Sequence, residues 1–165
     1  MSVSLRPMQA ADAERIVAIY NQSIRTKGHT ADLDELTVED RKEWFTEHED
    51  PRYPVFVACE GNDIMGWISV SPYRKGRRAL AEVAEISLYI DAAYRGRGVG
   101  SDMMQHTIAF CRNAGFEHLI GIIIASNDRS QALFKKSGFV LWGRMPGIVA
   151  IDGEHFDHVY YGRHL

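Results

Sequence analysis

The chain has 165 residues, 45% hydrophobic and 25% charged, with a formal net charge of −3 and a pI near 6.1. That length suits one domain burying roughly 68–70% of its unfolded surface, and that charge gives no overall attraction to nucleic acid or an anionic membrane. Cys59 and Cys111 fit no CxxC or zinc spacing, and no apolar run approaches the ~18–20 residues of a membrane span, so a reduced, cytoplasmic protein is expected.

Residues 3–7, VSLRP, read as a short strand closed by Pro7. From Ala10 the pattern turns helical, with Ala13, Ile16, Val17, Tyr20 and Ile24 recurring at spacings of three and four. Asp12 and Glu14 at its start and Arg25 and Lys27 at its end suit the helix dipole, and Gly28 stops it. The polar stretch HTADLDELT is a surface loop. Thr37 and Asp40 resemble a helix-start box, opening a helix VEDRKEWFTEH with Val38, Trp44 and Phe45 inward. Asp50-Pro51 and Tyr53-Pro54 then break the chain.

Two strands, VFVACE and DIMGWISVS, flank a Gly61-Asn62 hairpin turn, and Pro72 ends the second. A basic loop, YRKGRRA, leads to a long strand from Leu80 to Asp91. The helix over 98–113 buries Val99, Met103, Met104, Ile108 and Cys111, and Gly115 caps it. HLIGIIIA is a nearly unbroken apolar strand, the pattern of one covered on both faces. The helix NDRSQALFKKSG ends at Gly138, and two strands follow around Asp152-Gly153. No repeat or linker interrupts the chain, which predicts one α/β domain with a mixed sheet.

The stretch EISLYIDAAYRGRGVG, residues 85–100, carries the strongest chemical signal. Ile86, Leu88 and Ile90 alternate with Glu85, Ser87 and Tyr89, as in a half-buried strand. The strand runs into Gly96, Gly98 and Gly100, set among Arg95 and Arg97, and a helix begins there. Glycine admits close backbone approach by an anion, and helix-start N–H groups point at it. The turn lacks the GK[ST] ending of a nucleotide P-loop and is G-x-G-x-G rather than the dinucleotide G-x-G-x-x-G. A turn without any ligand is the competing reading.

Two spaced motifs decide between them. Arg95-x-x-Gly98-x-Gly100 resembles the pyrophosphate-binding motif of the GCN5-related N-acetyltransferase (GNAT) superfamily. Asn127, Ser130, Leu133, Phe134 and the run Lys136-Ser137-Gly138-Phe139 resemble its second signature helix. AIYNQSI, VEDRKEWF, GWISVSPYR, AEISLYID and IDGEHFDHVYYGRHL extend the likeness over nearly the whole chain, to the phosphinothricin and methionine sulfoximine N-acetyltransferase branch. The resemblance implies a mixed, mostly antiparallel sheet flanked by helices and splayed to admit acetyl-CoA. It also implies a homodimer with the C-terminal strands near the contact, and a small-molecule amine as the acyl acceptor.

Residue by residue, it implies that the backbone of Leu88, Tyr89 and Ile90 binds the pantetheine arm. Gly96, Gly98, Val99, Gly100 and Ser101 would give N–H groups to the pyrophosphate beside Arg95 and Arg97. Asn127, Ser130 and Lys136 would complete the cofactor site. Glu85 matches the glutamate of E-x-S-x-Y and is the expected general base, while a structural ion pair with Arg74 or Arg78 is its alternative. Tyr73 and Arg74 match the branch's substrate region, where a guanidinium suits a carboxylate, and Thr30, Ile86 and Ser87 would join them. Arg77 and Arg78 are equally basic, and simple solvation is the commoner fate of such a run.

Phe134 stands where many superfamily members carry a tyrosine acting as general acid, so water or Tyr160 is left for that role. His155 and His158 sit near Asp152 and Asp157, but a strand turns them to opposite sides, and no metal site is expected. Two further readings keep the fold: transfer to a protein or peptide amine, and a non-catalytic acyl-CoA sensor.

Overall fold

The computed structural model describes residues 3–165. In chain order its elements are β1 (Ser4–Pro7), α1 (Ala13–Thr26), α2 (Lys42–Glu47), β2 (Val55–Glu60), β3 (Asp63–Pro72), β4 (Val83–Ile90), α3 (Val99–Asn113), β5 (His118–Ile124), α4 (Asp128–Lys136), β6 (Val140–Ile151) and β7 (Glu154–His164). The strands form one sheet in the order β1-β2-β3-β4-β5-β7-β6. Every neighbouring pair is antiparallel except β4 with β5, which are parallel. Short hairpins join β2 to β3 and β6 to β7, β1 reaches β2 through α1 and α2, and α3 supplies the crossover that the parallel β4–β5 pair requires. At the β6–β7 turn Asp152 and Gly153 both take positive φ, +51° and +83°, the conformation for which an Asp-Gly pair is suited.

Strand alternation sorts the core into two layers. Ile68, Val70, Ile86 and Leu119 pack against Met103 and Met104 of α3 on one face. Val55, Val57 and Trp67 pack against Ile16 and Ile19 of α1 on the other. Each large apolar side chain so buried contributes about 1.5–3 kcal/mol. Trp67 is fully buried and its Nε1–H donates to the Ile16 carbonyl at 3.0 Å, so its one polar atom is satisfied. Cys59 and Cys111 are free buried thiols, and burial pushes Cys111 up to about 12.

Two expected elements are shorter than their patterns suggest. The Thr37–Asp40 box forms, with Thr37 N–H donating to the Asp40 carboxylate at 2.8 Å and Asp40 N–H to Thr37 Oγ1 at 3.2 Å. Residues 38–41 are nevertheless turns, and α2 begins only at Lys42 with none of its residues fully buried. The Arg41 side chain instead lies over the Trp44 and Tyr20 rings, at 4.1 and 4.6 Å. The strand expected from Leu80 begins at Val83, because Arg78–Leu80 forms a 3-10 turn and the Glu82 carbonyl receives the Glu117 and His118 N–H groups. Among the described residues, no helix is long and apolar enough to cross a membrane.

Candidate active site

The site begins where the sheet comes apart. β4 and β5 pair only through Val83–His118, Ala84–Leu119 and Glu85–Ile120. Beyond them the strands diverge around a cavity of about 560 Å³, walled by Ile86–Ile90 of β4 and by Ile122 and Ile123 of β5. The backbone direction in β4 follows from its antiparallel partner. Tyr73 N–H donates to the Val83 carbonyl and Asp91 N–H to the Met65 carbonyl, so odd-numbered residues of β4 address β3. The Ile86 N–H closes the ladder at the Glu85–Ile120 pair, and the Ile86 C=O and the N–H and C=O of Leu88 and Ile90 therefore face the opening. Tyr89, expected to offer its backbone there, turns it to β3; its ring packs between Tyr20 and Trp67, with centroids at 4.8 and 4.7 Å. Ile90 already uses its carbonyl, which accepts from Arg95 Nε at 3.3 Å.

The glycine turn closes one end of the cavity. Gly96 and Gly98 have φ of +78° and +87°, values that L side chains rarely adopt, and Gly98 is the N-cap of α3. A Cβ on Gly100 would lie 2.9 Å from Ile90 Cδ1 and 3.1 Å from Leu133 Cδ2, so a larger residue would make those side-chain ends shift. Gly96, Gly98, Gly100 and Ser101 line the cavity, with first-turn N–H groups and the positive end of the α3 dipole beside them. Arg95 and Arg129 add charge from either side. His29 sits with them, its imidazole held below the usual range first by burial and then by these two cations. Asn127 caps α4, accepting from Ser130 N–H at 3.2 Å, and lines the same cavity with Ser130; capping leaves its amide N–H groups for a ligand.

Asp91 anchors the turn from behind. Its buried carboxylate accepts from Ala93 N–H, Arg15 and Gln22, each at 2.8 Å. Burial works to raise its pKa, but these donors outweigh it and hold the group below the usual carboxylate range. Its stabilising contribution is thus present above the unfolded-state pKa and lost as pH falls through the folded one. Asp91→Ala is expected to weaken cofactor binding by about ten- to a hundredfold, since losing a charged hydrogen-bond acceptor costs about 1.5–3 kcal/mol. Calorimetry with coenzyme A measures this, and an unchanged Kd would show that the turn holds itself.

Val99 buries its side chain in the core while its N–H, the group expected to serve, stands at the start of α3. Other expected ligands lie elsewhere. Arg97 pairs with Glu60 at 3.2 Å and lies over the Tyr94 ring. Lys136 is exposed in the last turn of α4, outside the cavity wall, whereas Arg129 in its first turn lines it. Phe134 is in the wall, its ring pressed on β5 where a Cβ on Gly121 would sit 1.9 Å away. Ser23, within the AIYNQSI stretch of α1, and His29 in the loop after it join the wall, although neither was expected at the site.

Glu85 occupies the end of the seam, cross-strand from Ser71 and paired with Ile120. It is half-buried, and among the described residues no ion pair or hydrogen bond reaches its carboxylate, so the expected alternative, a pair with Arg74 or Arg78, does not form. Desolvation alone raises its pKa. Its cross-strand partner Ser71 lines a second hollow of about 360 Å³ with His48, Arg74, Arg77 and Arg78. Tyr73 flanks Arg74 at the end of β3. Thr30 is turned to Tyr20, whose hydroxyl lies 2.7 Å from Thr30 Oγ1. Tyr160 does not line the cavity and stacks near His158, and His155 Nδ1 lies 2.9 Å from the Gly147 carbonyl oxygen.

Comparison with known proteins decides the family. Residues 15–139 match the Acetyltransferase (GNAT) family. This chain belongs to that family. The acetyltransferase is 42% identical, over 99% of both chains, to YwnH of Bacillus subtilis (strain 168), whose name proposes phosphinothricin acetylation. It is 31% identical to the L-methionine sulfoximine/L-methionine sulfone acetyltransferase of Pseudomonas aeruginosa, over 95% of this chain and 91% of the relative. A phosphinothricin acetyltransferase from Sinorhizobium meliloti, solved in complex with acetyl-CoA, superposes with a TM-score of 0.93 at 28% identity, covering 100% of this chain and 89% of that one.

The protein is an N-acetyltransferase using acetyl-CoA, and its residues fit that cofactor. The opened β4 edge offers unpaired N–H and C=O groups to an extended amide-bearing arm, and the glycine turn offers N–H groups and Arg95 to a pyrophosphate. Acetyl-CoA supplies the activated acetyl thioester.

Proposed function

We propose that this acetyltransferase acts on the primary amine of a small amino acid or analogue of the phosphinothricin, methionine sulfoximine or methionine sulfone type. The observation that carries this reading is Glu85, an unpaired half-buried carboxylate that precedes Ile86 of the cofactor cavity and stands cross-strand from Ser71 of an arginine-lined hollow. An α-amino group has a pKa of about 7.7–8.0, so most of it is protonated at neutral pH and must lose a proton before it attacks. Glu85, made more basic by burial, accepts that proton directly or through a water. Arg74 faces the hollow and suits the acceptor's carboxylate, which fixes the amine toward Glu85. The backbone N–H of Leu88 faces the opening and is the donor for a thioester carbonyl.

The test is coenzyme A thiol release across a panel of free amino acids, the three analogues and peptides with free N-termini. Turnover with the analogues supports the reading. Turnover with peptides alone would replace it with a peptide-amine acceptor, and binding without turnover would make the protein a sensor.

We also propose a cytoplasmic homodimer with a role in detoxifying such analogues. Edge strand β6 exposes Val140, Leu141, Trp142, Met145 and Ile148 along an unpaired backbone edge. A second copy laid on this strand covers both. Light scattering is expected to give twice the chain mass, and Ile148→Glu with Leu141→Glu to give the monomer. A monomeric wild type rules the dimer out.

A further inference from the structure

One buried histidine reaches Ser71, the cross-strand partner of Glu85, and has no part in the chemistry so far. His48 follows α2, is 7% exposed, and packs its ring against Trp44 with centroids 4.4 Å apart. Its Nδ1 lies 2.6 Å from the Tyr53 carbonyl oxygen, which only accepts, so Nδ1 carries the proton. That leaves the Nε2 lone pair directed at Ser71 Oγ, 3.4 Å away. Ser71 is in turn the cross-strand partner of Glu85, on the same face of the sheet. Directly opposed residues have Cβ atoms about 4.5–5.5 Å apart, within reach of a direct contact or one bridging water. His48 and Ser71 both line the basic hollow, which opens to solvent.

We infer that His48, acting through Ser71, is the positioning residue that carries the proton away from Glu85 into this hollow; this rests on Glu85 being the general base. After Glu85 has taken a proton from the acceptor ammonium, it passes one to Ser71 Oγ as the Ser71 hydroxyl proton moves to His48 Nε2. The imidazolium then releases its Nε2 proton to water. Glu85 returns to carboxylate, Ser71 to hydroxyl and His48 to neutral imidazole, with no charge left behind.

The surroundings favour release over storage. Burial, the leading cause, and the Arg41 guanidinium hold His48 below its usual range, while Glu47 and the Tyr53 carbonyl pull the other way. Glu47 is itself paired with Lys75 at 2.6 Å. Arg74, Arg77 and Arg78 share the hollow and outnumber Asp50, the other acid there. An imidazolium among these cations gives up its proton readily.

The experiment compares wild type, Glu85→Gln, His48→Ala and Ser71→Ala, following kcat across the neutral pH range, coenzyme A affinity, and rescue by added imidazole. His48→Ala and Ser71→Ala are each expected to lose about tenfold in kcat, a fraction of what a full general base contributes. Coenzyme A affinity should not change, and the acid limb of the kcat profile should move. Imidazole, which fits the emptied site beside the hollow, should restore His48→Ala and leave Ser71→Ala unchanged. A loss in His48→Ala that imidazole does not restore, or full activity in both variants, overturns the relay. Should His48→Ala fail to fold, Ser71→Ala decides alone: a shifted acid limb supports the relay and a wild-type profile sinks it. If wild type turns over and Glu85→Gln does not, these failures concern the relay only. Full activity in Glu85→Gln removes the base, and the relay with it.

Discussion

Glu85→Gln is expected to lower kcat by about 10²–10⁴, the range for removing a general base, while leaving coenzyme A affinity unchanged. The same substitution is expected to raise the thermal midpoint at neutral pH. Both follow from one fact, a carboxylate desolvated without a partner. A glutamate whose folded pKa lies above its unfolded one contributes stability that is fully present below the unfolded pKa and lost as pH rises through the folded pKa. At neutral pH the protein therefore bears the cost of an uncompensated charge, and glutamine, of equal size and neutral, removes it. In the wild type, activity should rise with pH through the raised Glu85 pKa, and the Gln variant should lack that limb. Steady-state kinetics and a melting curve on the same preparation check it. A variant that is inactive and also less stable would mean that Glu85 is structural.

Gly121→Ala is expected to damage folding and cofactor binding together. A Cβ at this position in β5 would lie 1.9 Å from Phe134 Cε1 and 2.4 Å from Cζ. Phe134 cannot retreat easily, since its ring packs against Phe139 and Tyr161 with centroids at 4.9 and 6.4 Å. Overpacking of this kind costs about 1–3 kcal/mol, occasionally more. Phe134 lines the cavity, so displacing its ring should also raise the KM for acetyl-CoA. Denaturant unfolding and acetyl-CoA kinetics test the two parts. Lost stability with an unchanged KM would show that Phe134 moves within the core and leaves the cavity intact.

The cofactor end of the site was legible because its chemistry is local in the chain. Strand, glycine turn and helix start are consecutive, so alternation from Glu85 to Ile90 and the glycines at 96, 98 and 100 describe one continuous surface. Asn127 was legible for a similar reason, as a cap with a helix behind it. The acceptor side is assembled from residues distant in sequence. Ser71 meets Glu85 through strand register, and His48 meets Ser71 because a short helix ends there. Ser23, His29 and Arg129 enter the cavity from three separate segments. Periodicity also misjudged α2, since VEDRKEWFTEH has helical spacing but Arg41 is drawn to aromatic faces. The parity of β4 was hidden likewise: side-chain alternation shows which face a residue takes, whereas its backbone direction depends on which neighbour it pairs with.

The seam at Val83–Glu85 has a consequence for the protein's persistence in a cell. Four strands lie on one side of it and three on the other, and within the sheet only three residue pairs tie them together. A ligand that lies along the opened edge serves as the missing tie. Binding to the folded chain alone stabilises it by RT ln(1 + [L]/Kd), about 2.7 kcal/mol at a hundredfold excess over Kd. Resistance to proteolysis should therefore rise and fall with the supply of acetyl-CoA, so that a starved cell would hold less of this enzyme without any change in its synthesis.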